Sequence, residues 1–564
     1  MAVDEPTNQD LTVIDEDAPG PPIAVPDSGD AGEGGKLKMI IQLVKKCFGV
    51  KDIAAMRLSL PASLLEPMPN LEYWHYLDRP DMFAAINDSD DPFERMLAVV
   101  KFVFTKDLKF VVCGYSLSCE STVNKVLKHG KVCKPYNSVL GEHFRSHWDV
   151  VPATYSSEST QSLSPLVPTS FDSGNAQAHE TSSLKSAKSS KSTFSSLSYK
   201  SKTGKSPSTA ATSPQPFPGV DEVNAQMSTL NLANGEEPSP VRVVFLCEQV
   251  SHHPPVSAFY ASCPDRHLEL AGIDQISAKV SGTAVRVAPG EFNKGLYLSI
   301  TGGAGQGERY HISHPIAAVN GILRGSFYVT IGESTIITCE GGRPGQKFRT
   351  IIEYKEESWL GRAHFLVEGV IYTVHEGETE CNEWTKVKHV PHSRVVAVFD
   401  GSWRGNIRWR RVGLGSYPGG ISSVASSPSP SHITLARGPI STPSASKTSL
   451  EHHHDGDYAT LVDLSVLQVL PKVVRPLEKQ LPCESRKMWA KVTEHLLKKE
   501  YSDATKEKIA IEQKQRDEAA ERKRKGLQFT PIYFEQSMEK GYSSLTPEGH
   551  AAVKEQLKEV PPIP

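Results

Sequence analysis

The stretch C-E-Q-V-S-H-H-P-P-V, residues 247–256, sets two adjacent histidines and two prolines between runs rich in Val, Phe and Tyr. Such a pair can present ring N–H groups to one anion, a phosphate monoester above all, because prolines stiffen the backbone beside it. A doubly charged phosphate draws both imidazoles toward their cationic form, since histidine titrates at about pH 6.5. Adjacent side chains on a regular strand point to opposite faces, so His252 and His253 are expected where a strand ends or kinks. Two other chemistries compete: hydrolysis with Ser251, and metal binding. Neither finds its companions. "GSWRG" at 401–405 does not fit a nucleophile elbow, and no H-E-x-x-H or spaced carboxylate set accompanies the pair. "GKS" at 204–206 has Tyr199 where a phosphate loop needs its first glycine, so it is not a Walker motif. The residues point away from an enzyme, a metal and a cofactor.

The segments around the pair indicate what positions it. From about 240 to 411, runs such as "VRVVFLCEQV", "STIITC", "KFRTIIEY" and "HFLVEGVIYTV" alternate with turn residues. Roughly a dozen strands without intervening helices predict one large antiparallel sheet or barrel. "GGAGQG" at 302–307 has no helix after it and reads as a hairpin turn. "DPFERMLAVVKFVFTKD" reads as a helix capped by Asp90 or Asp91, with Pro92 in its first turn. The C-terminal part is helical and highly charged, and Lys508, Glu512 and Arg516 recur every four residues on one face. Taken alone, that spacing is equally an exposed salt-bridged face. The basic run Arg522–Lys525 suits a helix end, or contact with anionic lipid.

Composition divides the rest. Residues 1–35 carry nine acidic side chains and no lysine or arginine, which predicts a disordered acidic tail. Ser/Pro-rich stretches at about 154–238 and 413–450 read as a disordered insert and linker, because apolar patterning stops before each and resumes after it. His452–His454 lie at the linker's margin and read as solvated. "KLKMIIQLVKKCFG" sets Leu37, Ile40, Ile41 and Val44 at helical spacing, either a helix on the core or a mobile cover over an apolar opening. A net charge of −3 excludes a globally basic nucleic-acid binder. Nine cysteines without a C-x-x-C suit a reducing compartment. No apolar run of 18 residues occurs, so the expectation is a cytoplasmic protein without a membrane-spanning anchor.

"EQVSHHPP", 248–255, resembles the signature of the oxysterol-binding-protein-related lipid-transfer family, in a short form without pleckstrin-homology or ankyrin modules. "KPYNSVLGEHF", 134–144, is similar to the family's K-P-x-N-P-x-L-G-E-x-F block and departs from it at Ser138, where proline is usual. "VRPLEKQLPCESRKMW", 474–489, and "ATKEKIAIEQKQR", 504–516, resemble its C-terminal blocks. The likeness covers roughly 36–540, leaving 541–564 as a C-terminal tail. It implies a mainly β protein with flanking helices (α+β), a near-complete antiparallel barrel around an apolar tunnel, and a lid mapped to about 36–58. It also implies a phosphoinositide-headgroup site at Lys134, Asn137, Glu142, His252, His253, Lys508, Glu512 and Arg516. Five potential cations there face phosphates, while Asn137 and the two carboxylates accept from inositol hydroxyls or orient the basic groups.

The function expected is non-enzymatic exchange of phosphatidylinositol 4-phosphate for a second lipid between membranes, with sterol favoured over phosphatidylserine. The partners expected are these lipids and transient membrane surfaces of the endoplasmic reticulum, Golgi or plasma membrane, with no nucleic acid, and the protein is expected to be a monomer. The alternative is a phosphoinositide-responsive signalling or tethering module without bulk transport.

Overall fold

The computed structural model describes residues 23–24, 41–54, 58–111, 134–153, 239–322, 328–356, 364–375, 377–412 and 458–559. The two Ser/Pro-rich stretches, His452–His454, Leu37, Ile40 and the acidic tail apart from Ile23–Ala24 lie outside them.

Four short strands come first: β1 (Ile23–Ala24), β2 (Leu58–Ser59), β3 (Leu65–Pro69) and β4 (Lys134–Tyr136). They form two parallel pairs, β1 with β2 and β3 with β4. A run then follows through β5 (His143–Val150), β6 (Val241–His252), β7 (Pro255–Cys263), β8 (Leu268–Asp274), β9 (Ile276–Ser281) and β10 (Ala284–Pro289). It continues with β11 (Leu296–Ile300), β12 (Glu308–Ile312), β13 (Ile316–Asn320), β14 (Tyr328–Gly332) and β15 (Ser334–Gly341). The last strands are β16 (Lys347–Tyr354), β17 (Leu366–Val374), β18 (Val395–Ser402), β19 (Asn406–Arg411) and β20 (Ala459–Asp463).

Twelve of these make one antiparallel sheet, ordered β5-β6-β7-β8-β11-β12-β15-β16-β17-β18-β19-β20. The order follows the chain but skips β9, β10, β13 and β14, and the large antiparallel sheet is the one the strand pattern predicts. Its ladder is open, with β5 and β20 at the two edges. The β5 edge is covered by the 473–484 segment through bridges His147–Val473 and His143–Glu484. "GGAGQG" is the β11–β12 turn, as expected.

The remaining strands form a second sheet, β9-β10-β13-β14. Each continues a neighbouring strand of the large sheet beyond a bend: β8 into β9, β10 into β11, β12 into β13, β14 into β15. Cross-strand register puts Val280, Val285, Val319 and Val329 on one face, with Ala278, Val287, Ala317 and Ile331 two residues along. All eight are only half-buried, whereas Lys279, Arg286 and Tyr328 on the other face are exposed. This extension therefore carries an apolar face that the protein's own side chains do not fully cover.

Beyond a helical stretch at 41–46, the helices are α1 (Asn70–Tyr73), α2 (Pro80–Ala84), α3 (Pro92–Thr105), α4 (Ser485–Met488), α5 (Ala490–Leu497), α6 (Tyr501–Lys525) and α7 (Pro547–Lys558). Asp91 caps α3 by accepting from Phe93 N at 2.8 Å, and Pro92 opens it. Phe93, Met96, Val100 and Phe104 of α3 join Phe245, Leu270, Leu298, Ile337 and Phe399 of the sheet in the main core. The inner face of the sheet is thus its apolar face.

The expectation of a C-terminal tail from 541 is corrected over its described part, where Pro547–Lys558 form a packed helix. Thr546 caps α7 by accepting from Gly549 N at 3.0 Å, and Pro547 supplies the first turn. Glu555 bonds the buried guanidiniums of Arg145 (2.7 Å) and Arg475 (3.0 Å), and Gln556 Nε2 donates to His147 Nδ1 at 2.7 Å. Polar anchors rather than a wide apolar stripe hold this helix, so its hydropathy is uninformative.

Candidate functional site

The histidine pair sits at a kink, as the alternation argument requires. Register between β6 and β7 shifts between Gln249 and Ser251, and His252 pairs with Pro255 to close the hairpin. The His253–Pro254 peptide is cis. Ser251 Oγ donates to Pro254 O at 2.9 Å, and Gln249 Nε2 donates to Ser251 O at 2.5 Å. These bonds fix the turn from inside, while both imidazoles remain half-buried with ring centroids 4.5 Å apart. Glu248 serves another purpose. It is fully buried and accepts from Ile532 N and Tyr533 N, each at 2.8 Å, fastening the segment after α6 to β6. Burial pushes its carboxyl up to about 7, against the pull of those hydrogen bonds.

The 134–144 block lies directly beside this turn. β5 runs antiparallel to β6 with His143 opposite Glu248. Gly141 N donates to Gln249 O at 2.9 Å, and Gln249 N donates to Glu142 O at 2.8 Å. Two motifs more than a hundred positions apart in sequence therefore meet at one end of one ladder.

Lys134 is delivered by β4, whose Tyr136 stacks on Trp489 (centroids 4.9 Å) and hydrogen-bonds Thr493 through its hydroxyl at 2.9 Å. Ala62, Leu65, Tyr136, Val139, Trp489, Val492, Leu496 and Ala504 form the small core that clamps β3 and β4 to α5 and α6. That packing brings Lys508 of α6 up to Lys134. Lys508 is buried to 4% exposure and pairs with Glu512 at 2.6 Å, and Lys134 hydrogen-bonds Asn137. Burial pulls the Lys134 ammonium down to about 8; the Lys508 charge pulls the same way and Glu512 opposes it. Two cations are thus held close together with one carboxylate between their charges, an arrangement that a polyanion stabilises.

Six expected site residues fall into two adjoining groups: Lys134, Asn137, Lys508 and Glu512 in one, His252 and His253 in the other. Arg516 lies one turn beyond Glu512, exposed, and donates to Gln513 Oε1 from Nη2 at 3.0 Å. Glu142 departs from the expectation. Its side chain is fully buried, and its carboxylate accepts from Ser485 Oγ (2.7 Å), Trp489 Nε1 (3.0 Å) and Val139 N (3.0 Å). Burial raises it to about 6 in spite of these bonds. It braces the 137–142 loop, with its carboxylate closed off from solvent. Ser138, where the family block has proline, is buried, and its hydroxyl has no hydrogen-bond partner among the described residues.

Ile41 and Val44 of the expected lid lie half-buried in a short helical stretch, 41–46. The segment after it is clipped to β9. Ile53 N donates to Ala278 O at 2.6 Å, and Asp52 Oδ1 accepts from Ala278 N at 2.8 Å. It therefore reaches the edge of the sheet that carries the half-covered apolar face.

A second polar cluster was not foreseen. Tyr76 OH donates to Asp274 Oδ1 at 2.5 Å, stacks on His314 (5.6 Å) and lies under Lys106 (4.7 Å), which pairs with Asp107. Burial pushes Asp274 up to about 7 and His314 down to about 3. Asp107 Oδ1 and His314 Nε2 are buried without a hydrogen-bond partner among the described residues. Asp274 and His314 sit where the strands bend between the two sheets. A signal existed: Asp274 ends the alternation Leu268, Leu270, Gly272 on an otherwise apolar face.

Comparison with known proteins agrees with this architecture. The family model described as oxysterol-binding protein matches residues 231–394. The crystal structure of the Osh1 ORD domain in complex with cholesterol shares the fold, with a TM-score of 0.50, 17% identity, and coverage of 92% of this chain and 88% of that one. Human oxysterol-binding protein-related protein 10 is 24% identical over 85% of this chain, which spans 44% of that protein. Oxysterol-binding protein-like protein 1 of Schizosaccharomyces pombe is 35% identical over 93% of this chain and 92% of its own length. With that identity along nearly the whole of both sequences, the chain belongs to the oxysterol-binding protein family.

Proposed function

We propose that the protein is a non-enzymatic lipid carrier that extracts phosphatidylinositol 4-phosphate and exchanges it for a second lipid between membranes. The observation that carries this reading is the convergence of Lys134–Asn137 with Lys508–Glu512, on a block whose Gly141 and Glu142 are hydrogen-bonded to Gln249 at the base of the His252–His253 turn. Such a site favours a ligand with several negative charges and hydroxyls. Arg516 extends it along α6, and Glu142 holds the loop that carries Asn137. The phosphates face the five basic side chains, and Asn137 and Glu512 accept from inositol hydroxyls.

The lipid chains need a dry place. Leaving one long acyl chain in water costs on the order of 10 kcal/mol, at about 0.8 kcal/mol per methylene. In this reading the twelve-stranded sheet curls into a near-complete barrel around a tunnel. The half-covered apolar face of β9, β10, β13 and β14 lines it, and the clipped 41–54 segment closes it as a lid. The unpartnered Asp107 Oδ1 and His314 Nε2 supply one acceptor and one ring nitrogen, which matches a single hydroxyl. That pairing favours a sterol over phosphatidylserine as the second lipid. The Osh1 ORD domain, which shares the fold, was crystallised with cholesterol. The six described cysteines are free thiols, five of them buried, in keeping with work in the cytoplasm and transient visits to membranes.

Extraction from liposomes tests the proposal. The wild-type chain should remove intact phosphatidylinositol 4-phosphate stoichiometrically, and His252→Ala with His253→Ala should abolish this without changing the thermal midpoint. Normal extraction by the double variant would overturn the site. A wild-type chain that binds the lipid but leaves it in the vesicle would instead be a tethering or signalling module.

A further inference from the structure

We infer that the corner formed by the end of α6 and the segment after it is a docking surface for anionic bilayers. Residues 521–532 carry four consecutive cations, Arg522 to Lys525, against the single carboxylate of Glu521, a local balance of +4 − 1 = +3 in a chain whose net charge is −3. The helix does not need these cations as caps. Gly526 already caps it, with Gly526 N donating to Lys523 O (3.1 Å) and Leu527 N to Arg522 O (3.0 Å), and at φ +64° it turns the chain away. Nor does the macrodipole explain what lies beside them. Leu527 is 59% exposed and Ile532 45% exposed. Cations flanking exposed aliphatic tips match a surface with an anionic outer layer and an apolar layer beneath it. A nucleic acid or an acidic peptide offers the first layer without the second.

The corner is fixed in place and adjoins the candidate site. The Arg522 guanidinium lies 5.6 Å from the centre of the Phe529 ring, and that ring packs so closely on Gly141 that a Cβ there would stand 3.3 Å away. Gly141 is the residue that bonds Gln249, three positions before His252. Docking through Lys523, Arg524, Lys525, Leu527 and Ile532 would bring the 137–142 loop and the histidine turn to the bilayer surface. The inference needs neither a tunnel nor an inositol lipid.

The test uses the full chain and vesicle flotation, with vesicles of phosphatidylcholine alone or phosphatidylcholine with phosphatidylglycerol. The wild type should float with the anionic vesicles only, and high salt should release it, because these charges are exposed and screened. Lys523→Gln with Arg524→Gln and Lys525→Gln keeps helix-forming residues and should lower binding roughly tenfold or more. Leu527→Ser should lower it further on anionic vesicles. Lys506→Gln with Lys514→Gln, a loss of two charges at exposed positions of the same helix against three in the test variant, should change little. Undiminished flotation by the triple variant would overturn the inference, and so would an equal loss in the Lys506/Lys514 control. Equally tight, Leu527-independent binding to a single-stranded oligonucleotide would replace the bilayer by a general polyanion. Failure here leaves lipid extraction untouched, so the two proposals are tested apart.

Discussion

Lys134→Met should make the protein more stable while removing its grip on an inositol phosphate. Burial beside Lys508 lowers the Lys134 ammonium from the ordinary 10.5 to about 8. That displacement corresponds to a ceiling of about 3 kcal/mol, and water reaching a half-buried side chain cuts it to about 1–2 kcal/mol. The sign follows from proton counts. Between about pH 8 and 10.5 the unfolded chain binds the proton more readily than the folded one, so stability rises with pH through that window. Below it the full cost of the buried charge is present. Methionine keeps most of the apolar stem and carries no charge, so the gain should appear at neutral pH and fade in strong base. Asn137 is exposed and loses its donor to water at little cost. Ligand affinity should fall by about tenfold or more, the value of one charge-assisted hydrogen bond. Urea denaturation at neutral pH and at about pH 10, with vesicle extraction in parallel, measures both. A destabilised Lys134→Met, a pH-independent gain, or unchanged extraction would refute the reasoning.

Two further outcomes follow from groups that brace the site. Glu142 is raised to about 6, so the folded state holds its proton more readily and stability falls as pH rises from about 4.5 through 6. Glu142→Gln should flatten that slope and leave phosphoinositide extraction within about twofold, whereas Glu142→Ala strands the Trp489, Ser485 and Val139 donors at a cost of about 2–4 kcal/mol. A large loss of extraction in a stable Glu142→Gln protein would return this carboxylate to the ligand site. Removing residues 545–564 should cost about 3 kcal/mol or more in denaturant unfolding, because the buried Arg145, Arg475 and His147 side chains each lose a partner and Ala552 leaves an apolar cluster. Coincident transitions would make α7 dispensable.

Alternation of apolar and turn residues was enough to read one large antiparallel sheet from the sequence, and Asp90 or Asp91 with Pro92 marked where α3 begins. The bends were not legible. Strands such as β8 and β9 follow one another in a single alternating run, and on the apolar face of β8 only Asp274 marks where the sheet turns. The 504–516 spacing also had two readings, and both are present: Lys508 and Glu512 form an ordinary i, i+4 ion pair and also stand against Lys134. Resemblance to a motif transfers positions and not depths. Glu142 looks like a ligand residue in a row of letters, but it is buried and holds Ser485, Trp489 and the Val139 amide. Helix α7 escaped notice because its apolar contact is narrow, Ala552 and Val553, and hydrogen bonds to Glu555 and from Gln556 complete its seat on the sheet.

The meeting of β5 and β6 has a consequence for how this chain can vary. Both polar blocks sit at the His143–Glu248 end of that ladder, and the chain leaves and re-enters at the Val150–Val241 end. Seven residue steps separate the two ends, about 24 Å of extended strand. Lengthening, shortening or rewriting what joins Ala153 to Ser239 therefore changes a tether fastened at the remote rung. The hairpin and its neighbouring loop keep their register whatever is inserted there, so a lineage can rework the insertion freely without retuning the pair of imidazoles.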